Sequence, residues 1–130
     1  MRRNEIFLPD TNTILRYLLQ DEPTLSRQAS LFWEQVREGN IHALLTEGVL
    51  MECVYVLQRF YKVPRSLITE KLTGLLAYKG LNDTHKNFFR DSLDVYAKEN
   101  LDFVDCLLYV AEKHGIGTVF SFDKKLNKFK

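Results

Sequence analysis

Short apolar runs alternate with longer amphipathic stretches along this chain of 130 residues, and this alternation is the strongest constraint on its fold. The runs typical of buried strands are residues 5–9 (EIFLP), 41–46 (IHALLT) and 117–122 (GTVFSF). The stretches between them have the spacing of amphipathic helices. Strands separated by helices favour parallel crossovers, so we expect an α/β fold, a three-layer α/β/α sandwich with a mostly parallel central sheet.

Six helices follow from the same patterns. The clearest covers residues 25–38, with Thr24 or Ser26 as its N-cap and Gly39 as its stop. The others are expected at 13–20, 47–61, 66–80, 85–100 and 101–115.

The ends of the later helices are marked by single residues. Ser66 is the expected N-cap of the helix at 66–80 and Gly80 its stop, while Gly115 closes the last long helix. Residues 124–130 (KKLNKFK) form a basic tail.

Composition is that of an ordinary globular protein, with 45% hydrophobic and 27% charged residues. We find no repeat or linker and expect one domain over residues 1–130. The longest apolar run (GVLMECVYVL) is too short to cross a bilayer, and the N-terminus lacks the apolar segment of a signal peptide. These features predict a cytoplasmic protein with no membrane partner.

Cysteine content and net charge are uninformative by themselves. Cys53 and Cys106 have no CxxC spacing, which argues against a zinc site and favours two reduced thiols. The net charge of +1 predicts no polyanionic partner.

Four carboxylates occupy unusual positions. Asp10 and Asp123 each follow a predicted strand, at the end where open parallel sheets bind ligands. Glu52 is the single charge in VLMECVYVL, and Asp105 lies inside FVDCLLYVA. We expect both helical acids to be buried and to need a partner, because an isolated buried carboxylate is costly.

Neither helical run contains a lysine or arginine that could be this partner. If the four acids converge, their mutual repulsion raises their pKa values unless a divalent cation joins them. Carboxylate oxygens suit Mg²⁺ or Mn²⁺ better than zinc.

Simpler structural roles remain open for each acid taken singly. Asp10 or one of the next two residues fits as a helix N-cap, and so does Asp102 before the last long helix. Asp123 fits as a cap of the turn that follows it. Glu52 has no such role, since it lies in the middle of a helix.

Four segments, LPDTNTILRYLL, VLMECVYVL, LDFVDCLLYVAEKHG and VFSFDKKL, resemble in order and spacing the motif regions of PIN-domain ribonucleases, specifically the VapC-type toxins of bacterial toxin–antitoxin pairs. The match covers nearly the whole chain. It implies an α/β/α sandwich and a metal-dependent endoribonuclease. Family members commonly continue into a last strand, whereas this chain stops seven residues after Asp123, so we expect that strand to be absent or very short, or the sequence to be truncated.

The resemblance also implies roles for individual residues. The family's four acidic positions are matched by Asp10, Glu52, Asp105 and Asp123. Asp102 matches an accessory or capping position, and Asn12 and Ser121 match polar positions that support the first and fourth acids. The expected partners are RNA, a cognate antitoxin whose C-terminal segment lies across the active site, and a second copy of the chain in a homodimer.

In this mechanism Asp10 and Asp105 are our choice for direct metal ligands, while Glu52 binds metal or accepts a proton from the attacking water. With the four acids and Asp102 neutralised, the 18 basic residues exceed the remaining acids by six, which suits a phosphate-binding rim. The candidates for this rim are Arg16, Arg65, Lys124, Lys125 and Lys128. The aromatic residues expected to pack in the core instead include Phe32, Trp33, Phe60 and Phe103.

Other functions fit less well. A haloacid-dehalogenase-type phosphatase also begins with a strand and an Asp-x-Asp-x-Thr motif, but Asn12 occupies its second aspartate position. The chain contains no G-x-S-x-G elbow and no glycine-rich nucleotide-binding motif. The main alternative is a catalytically silent PIN-like module that binds protein or RNA, since a fold does not prove turnover.

Overall fold

The computed structural model describes residues 5–82 and 85–128. Its elements in chain order are β1 (Ile6–Phe7), α1 (Thr11–Leu19), α2 (Pro23–Glu38), β2 (His42–Ala43), α3 (Glu47–Arg59), α4 (Arg65–Leu76), α5 (Lys86–Lys98), α6 (Phe103–Lys113) and α7 (Lys124–Asn127). The six expected helices are confirmed as α1 to α6. The last two residues of the basic tail, 129 and 130, lie outside the described residues.

The two strands are parallel and shorter than expected. Phe7 of β1 lies opposite Ala43 of β2, and the Leu44 N–H donates to the Phe7 carbonyl at 2.9 Å. On the other side of β2, the Ala43 N–H donates to the Gly80 carbonyl at 2.9 Å, and Leu81 forms a parallel bridge with Ala43. The backbone around β2 is therefore hydrogen-bonded on both sides.

The third predicted strand, at residues 117–122, is wrong: in the described structure this segment has no regular secondary structure and belongs to neither strand of the sheet. Its alternating apolar residues do not form one buried face, since Phe120 is 88% and Phe122 89% exposed. Side chains bind its backbone instead, and the Val119 N–H donates to the Glu112 carboxylate at 2.9 Å. Alternation alone did not distinguish a strand from a loop.

The start of α2 also differs from expectation. Neither Thr24 nor Ser26 caps it; the Glu22 carboxylate accepts from the N–H groups of Thr24 at 3.3 Å and Leu25 at 2.6 Å, and Pro23 is the first helical residue. Proline is favoured there because the N–H it lacks would have no helical partner.

The predictions for the ends of the other helices are partly confirmed and partly wrong. Pro64, not Ser66, precedes α4, which ends at Leu76 well before Gly80. Gly39 and Gly115 both have the positive φ typical of residues that end helices, as expected.

One continuous cluster of buried side chains joins α1 to α6. Trp33 is fully buried and packs between the rings of Phe32 and Tyr17, with centroids 5.1 and 6.0 Å away. Phe103 is also buried, but Phe60 is 73% exposed, so its expected core position is wrong.

Both cysteines are free and fully buried. None of the helices in the described part of the chain combines the length and apolar character needed to cross a membrane.

Gly80 makes the closest backbone approach next to β2. A Cβ added there would lie 2.1 Å from the Ile41 carbonyl oxygen and 2.8 Å from that of Val36. The Gly80 N–H donates to the same Val36 oxygen at 2.8 Å. Only glycine leaves room for this contact between two backbone segments.

We predict that Gly80→Ala lowers the free energy of unfolding by at least about 2 kcal/mol, because the new methyl group overlaps backbone that has no room to move aside. Gly74→Ala is the matched control. A Cβ at this helical position meets nothing within 4 Å, so alanine should be neutral or stabilise the fold by up to about 1 kcal/mol. Urea unfolding of both variants measures the difference, and equal stabilities would contradict the prediction.

Candidate active site

Asp10 lies between β1 and α1 and caps the helix. Its carboxylate accepts from the Thr13 N–H at 3.0 Å and from the Thr13 hydroxyl at 2.8 Å. These hydrogen bonds hold the pKa of the exposed Asp10 carboxyl below its usual value. The capping role considered from the sequence is confirmed, and one consequence is that Asp10 stays ionised as the pH falls.

Glu52 is exposed, not buried as expected, but it does have a partner. The hydroxyl of Thr11, the first residue of α1, donates a hydrogen bond to the Glu52 carboxylate across to α3. Thr11 itself is buried. The Thr11 hydroxyl therefore fixes the direction of the Glu52 side chain through one carboxylate oxygen.

The pKa of the Cys53 thiol is affected by the charges of both acids. Burial raises its pKa to about 12, and the charges of Glu52 and then Asp10 contribute to this rise. Asp10 and Glu52 therefore share one neighbourhood at the beginnings of α1 and α3.

Asp105 forms the second acidic neighbourhood in the first turn of α6. Burial raises the pKa of this half-buried carboxyl, and the charges of Asp123 and Asp102 raise it further, while Lys125 opposes the shift. Asp102 occupies the N-cap position of α6, but its side chain makes no capping hydrogen bond. Its carboxylate is exposed and contributes charge instead.

Asp123 is positioned by its own local hydrogen bonds. Its N–H donates to the Ser121 hydroxyl and its carboxylate accepts from the Lys125 N–H, both at 2.9 Å. It therefore caps α7, one of the roles left open by the sequence, although no strand precedes it.

The two neighbourhoods are Asp10 with Glu52, and Asp105 with Asp102 and Asp123. Within residues 5–82 and 85–128, no three acidic, histidine or cysteine side chains are arranged to hold one metal ion together. The donor chemistry nevertheless fits a hard divalent cation, because every candidate ligand is a carboxylate oxygen. The pKa of Asp105 is raised first by burial and then by the charges of Asp123 and Asp102.

The remaining candidate site residues differ in the contacts that they make. Asn12 is exposed, and its N–H helps to lower the pKa of Asp10. Arg16 pairs with Asp21 at 3.2 Å and donates to the Tyr61 hydroxyl at 3.0 Å. The lysines at 124, 125 and 128 are exposed.

Arg65 has a structural role. One nitrogen of its guanidinium donates to the carbonyls of Tyr96, Glu99 and Leu101 at 2.7 to 3.0 Å, and the group lies 4.2 Å from the centroid of the Tyr96 ring. These bonds satisfy carbonyls at the end of α5, so Arg65 joins α4 to α5 and is unsuited to an RNA-binding rim.

Sequence reasoning gave Thr11 no part in the site beyond a capping role. The available signal was its position directly after Asp10, on the first turn of a helix that begins at a strand end. Only the contact between α1 and α3 shows that its hydroxyl reaches Glu52.

Comparison with known proteins identifies the family. The family model of the PIN domain matches residues 7–130. The chain is 33% identical to a protein described as "VapC ribonuclease" from Aquifex aeolicus (strain VF5), over 93% of this chain and 90% of that protein. No solved structure gives a significant match.

The chain belongs to the PIN-domain family, and within it to the VapC ribonucleases. The predicted fold class is thereby confirmed, since PIN domains are three-layer α/β/α folds and the described strands are parallel.

We predict that Asp105→Asn removes part of the pH dependence of stability. A carboxyl whose pKa is raised in the folded protein contributes most below its usual pKa, and this contribution is lost as the pH rises through the raised value. The variant should therefore gain stability relative to the parent as the pH rises from the usual aspartate range toward neutrality.

Urea unfolding in a chelating buffer at several pH values measures this difference. Asp94→Asn is the control, because Asp94 is exposed and its ion pair with Lys98 is also exposed. A parent-to-variant difference that stays constant with pH would contradict the assignment of the shift to Asp105.

Proposed function

We propose that this chain, as a single PIN domain over residues 1–130, is a divalent-metal-dependent endoribonuclease and the toxin of a type II toxin–antitoxin pair. The observation that carries the proposal is the half-buried Asp105, which lies near Asp102 and Asp123 and whose ionisation is opposed by burial first and by these two acids second, with Lys125 acting against them. Such a site is completed by a cation. We propose Mg²⁺ or Mn²⁺ for it.

In the proposed mechanism, the two acidic neighbourhoods would hold the metal together, with Asp10 and Glu52 on one side and Asp105 and Asp123 on the other. A bound divalent cation would supply an activated water and charge stabilisation at the scissile phosphate. Asp10 suits a ligand because the Thr13 hydrogen bonds keep it ionised. Glu52, held through one oxygen by Thr11, has its second oxygen available to bind metal or accept a proton from the attacking water.

The polar neighbours act by positioning. Ser121 orients the backbone of Asp123, and the Asn12 N–H adds to the donors around Asp10. Asp102 adds negative charge beside Asp105. The proposed RNA rim consists of Arg16, with the exposed Lys124, Lys125 and Lys128 beside Asp123.

We further propose a cytoplasmic protein that a cognate antitoxin inhibits and that forms homodimers. The antitoxin follows from membership among the VapC ribonucleases. Exposed apolar side chains support the homodimer: Leu108 and Ile116 border an apolar groove of about 660 Å³ between α5 and α6, and Phe120 and Phe122 lie exposed in the segment that follows.

We predict that purified protein cleaves structured RNA in Mg²⁺ or Mn²⁺ and not in chelator. Asp10→Asn and Asp105→Asn should each slow cleavage about a hundredfold or more, since charge stabilisation by a metal is worth several kcal/mol. Gel analysis of end-labelled RNA measures the rates.

Asp94→Asn, which changes an exposed acid on α5, is the matched control and should cleave like the parent. Equal cutting by the parent and Asp10→Asn would identify a contaminating nuclease. Absence of metal-dependent cleavage, together with absence of metal-induced thermal stabilisation in the parent, would contradict the proposed function.

A further inference from the structure

A small groove between α3 and α6 lies beside the acids and has no part in the mechanism above. Its volume is about 230 Å³, below the ~300–1,000 Å³ typical of sites for drug-sized ligands, so it suits a single ring system. Its walls include the buried side chains of Val54 and Phe103. These walls offer apolar surface to a flat ligand.

The α3 side of the groove presents an aromatic ring and a cation. Tyr55 is 56% exposed, although burial is usual for so large an apolar surface. The guanidinium of Arg59 lies 5.5 Å from the centroid of its ring. Tyr55 and Arg59 are one helical turn apart, and the guanidinium lies over one face of the ring. Much of the ring remains exposed to solvent.

Both walls of the groove are related to the acids through their helices. Tyr55 and Arg59 follow Glu52 by three and seven residues and so lie on the same side of α3, with Arg59 about 10 Å further along the helix axis. On the α6 side the groove is bordered by Asp102, which acts electrostatically on Asp105. The residues that border the groove therefore begin about one helical turn from Glu52 on α3 and from Asp105 at the start of α6.

We propose that this groove binds one unpaired base of the RNA substrate next to the cleaved bond, with Tyr55 stacking on the base and Arg59 pairing with an adjacent phosphate. The proposal rests on the proposed ribonuclease function and adds the surface of this chain that receives the base. Base stacking on exposed aromatic rings beside basic groups is how proteins commonly bind single-stranded RNA. Charge complementarity favours this occupant, because a phosphate-linked base carries the anion that Arg59 attracts.

The test uses the full chain carrying Asp10→Asn, so that the RNA stays intact. The probes are a hairpin RNA with 2-aminopurine in its unpaired loop and a fully paired duplex of the same length. Tyr55→Ala should weaken hairpin binding about tenfold or more and abolish the fluorescence change of the stacked 2-aminopurine. Binding to the duplex should change little.

Two further variants separate stacking from a structural role. Tyr55→Phe keeps the ring and should bind the hairpin within about twofold of its parent. Arg59→Ala should weaken binding and reduce the slope of log affinity against log salt concentration by about one, as expected for one lost phosphate contact.

Matched controls are available on the same surface. Phe60→Ala removes an exposed aromatic ring outside the groove, at the end of the same helix, and Arg27→Ala removes an exposed arginine of α2. Both should bind the hairpin like their parent.

Hairpin affinity and 2-aminopurine fluorescence in Tyr55→Ala equal to those in Phe60→Ala would overturn the proposal while leaving the ribonuclease function intact. A dimer in sedimentation that Tyr55→Ala dissociates, with unchanged RNA affinity, would assign the groove to a second copy of the chain and overturn it too. If the parent binds neither RNA, the inference fails, and the cleavage assay decides separately whether the proposed function fails with it.

Discussion

The backbone hydrogen bonds on both sides of β2 determine where the acids lie. Because β1 and β2 are parallel, α1 and α3 begin at the same edge of the sheet, each a few residues beyond its strand. Asp10 precedes α1 directly, and Glu52 lies in the second turn of α3. The Thr11 hydrogen bond to Glu52 closes the gap between these helices. Gly80 packs closely against the backbone on the far side of β2 and holds this strand in place. A substitution at Gly80 is remote from the acids but disturbs the strand that positions them.

The two acidic neighbourhoods differ in their electrostatics. Around Asp10, hydrogen-bond donors stabilise the ionised carboxylate and lower its pKa. Around Asp105, burial and like charges raise the pKa, and one lysine opposes them. Carboxyl groups whose environments push their pKa values apart are characteristic of catalytic sites. In this chain the surroundings of Asp10 favour its ionised form, and those of Asp105 disfavour it.

Much of the fold and of the candidate site was predictable because periodicity and isolated charges are local properties. The six helices and the parallel pairing of the first two strands followed from the spacing of apolar residues, and the family was apparent from the order of its motifs. Burial of individual side chains was not predictable in this way. Glu52 lies in an apolar run but faces solvent, since α3 packs only part of its circumference against other helices, and Phe60 at its end is exposed for the same reason.

The sequence by itself determined the helices, the α/β class, the set of acidic residues and membership in the PIN-domain family, because these depend on residue types and their spacing. Tertiary structure alone decided which distant groups meet: Thr11 with Glu52, Arg65 with the carbonyls at the end of α5, and the Tyr55 side of α3 with Asp102 across the groove. It also decided that residues 117–122 form no strand, although their alternation is typical of one. A strand requires a partner with free backbone groups, and no local pattern records whether that partner is within reach.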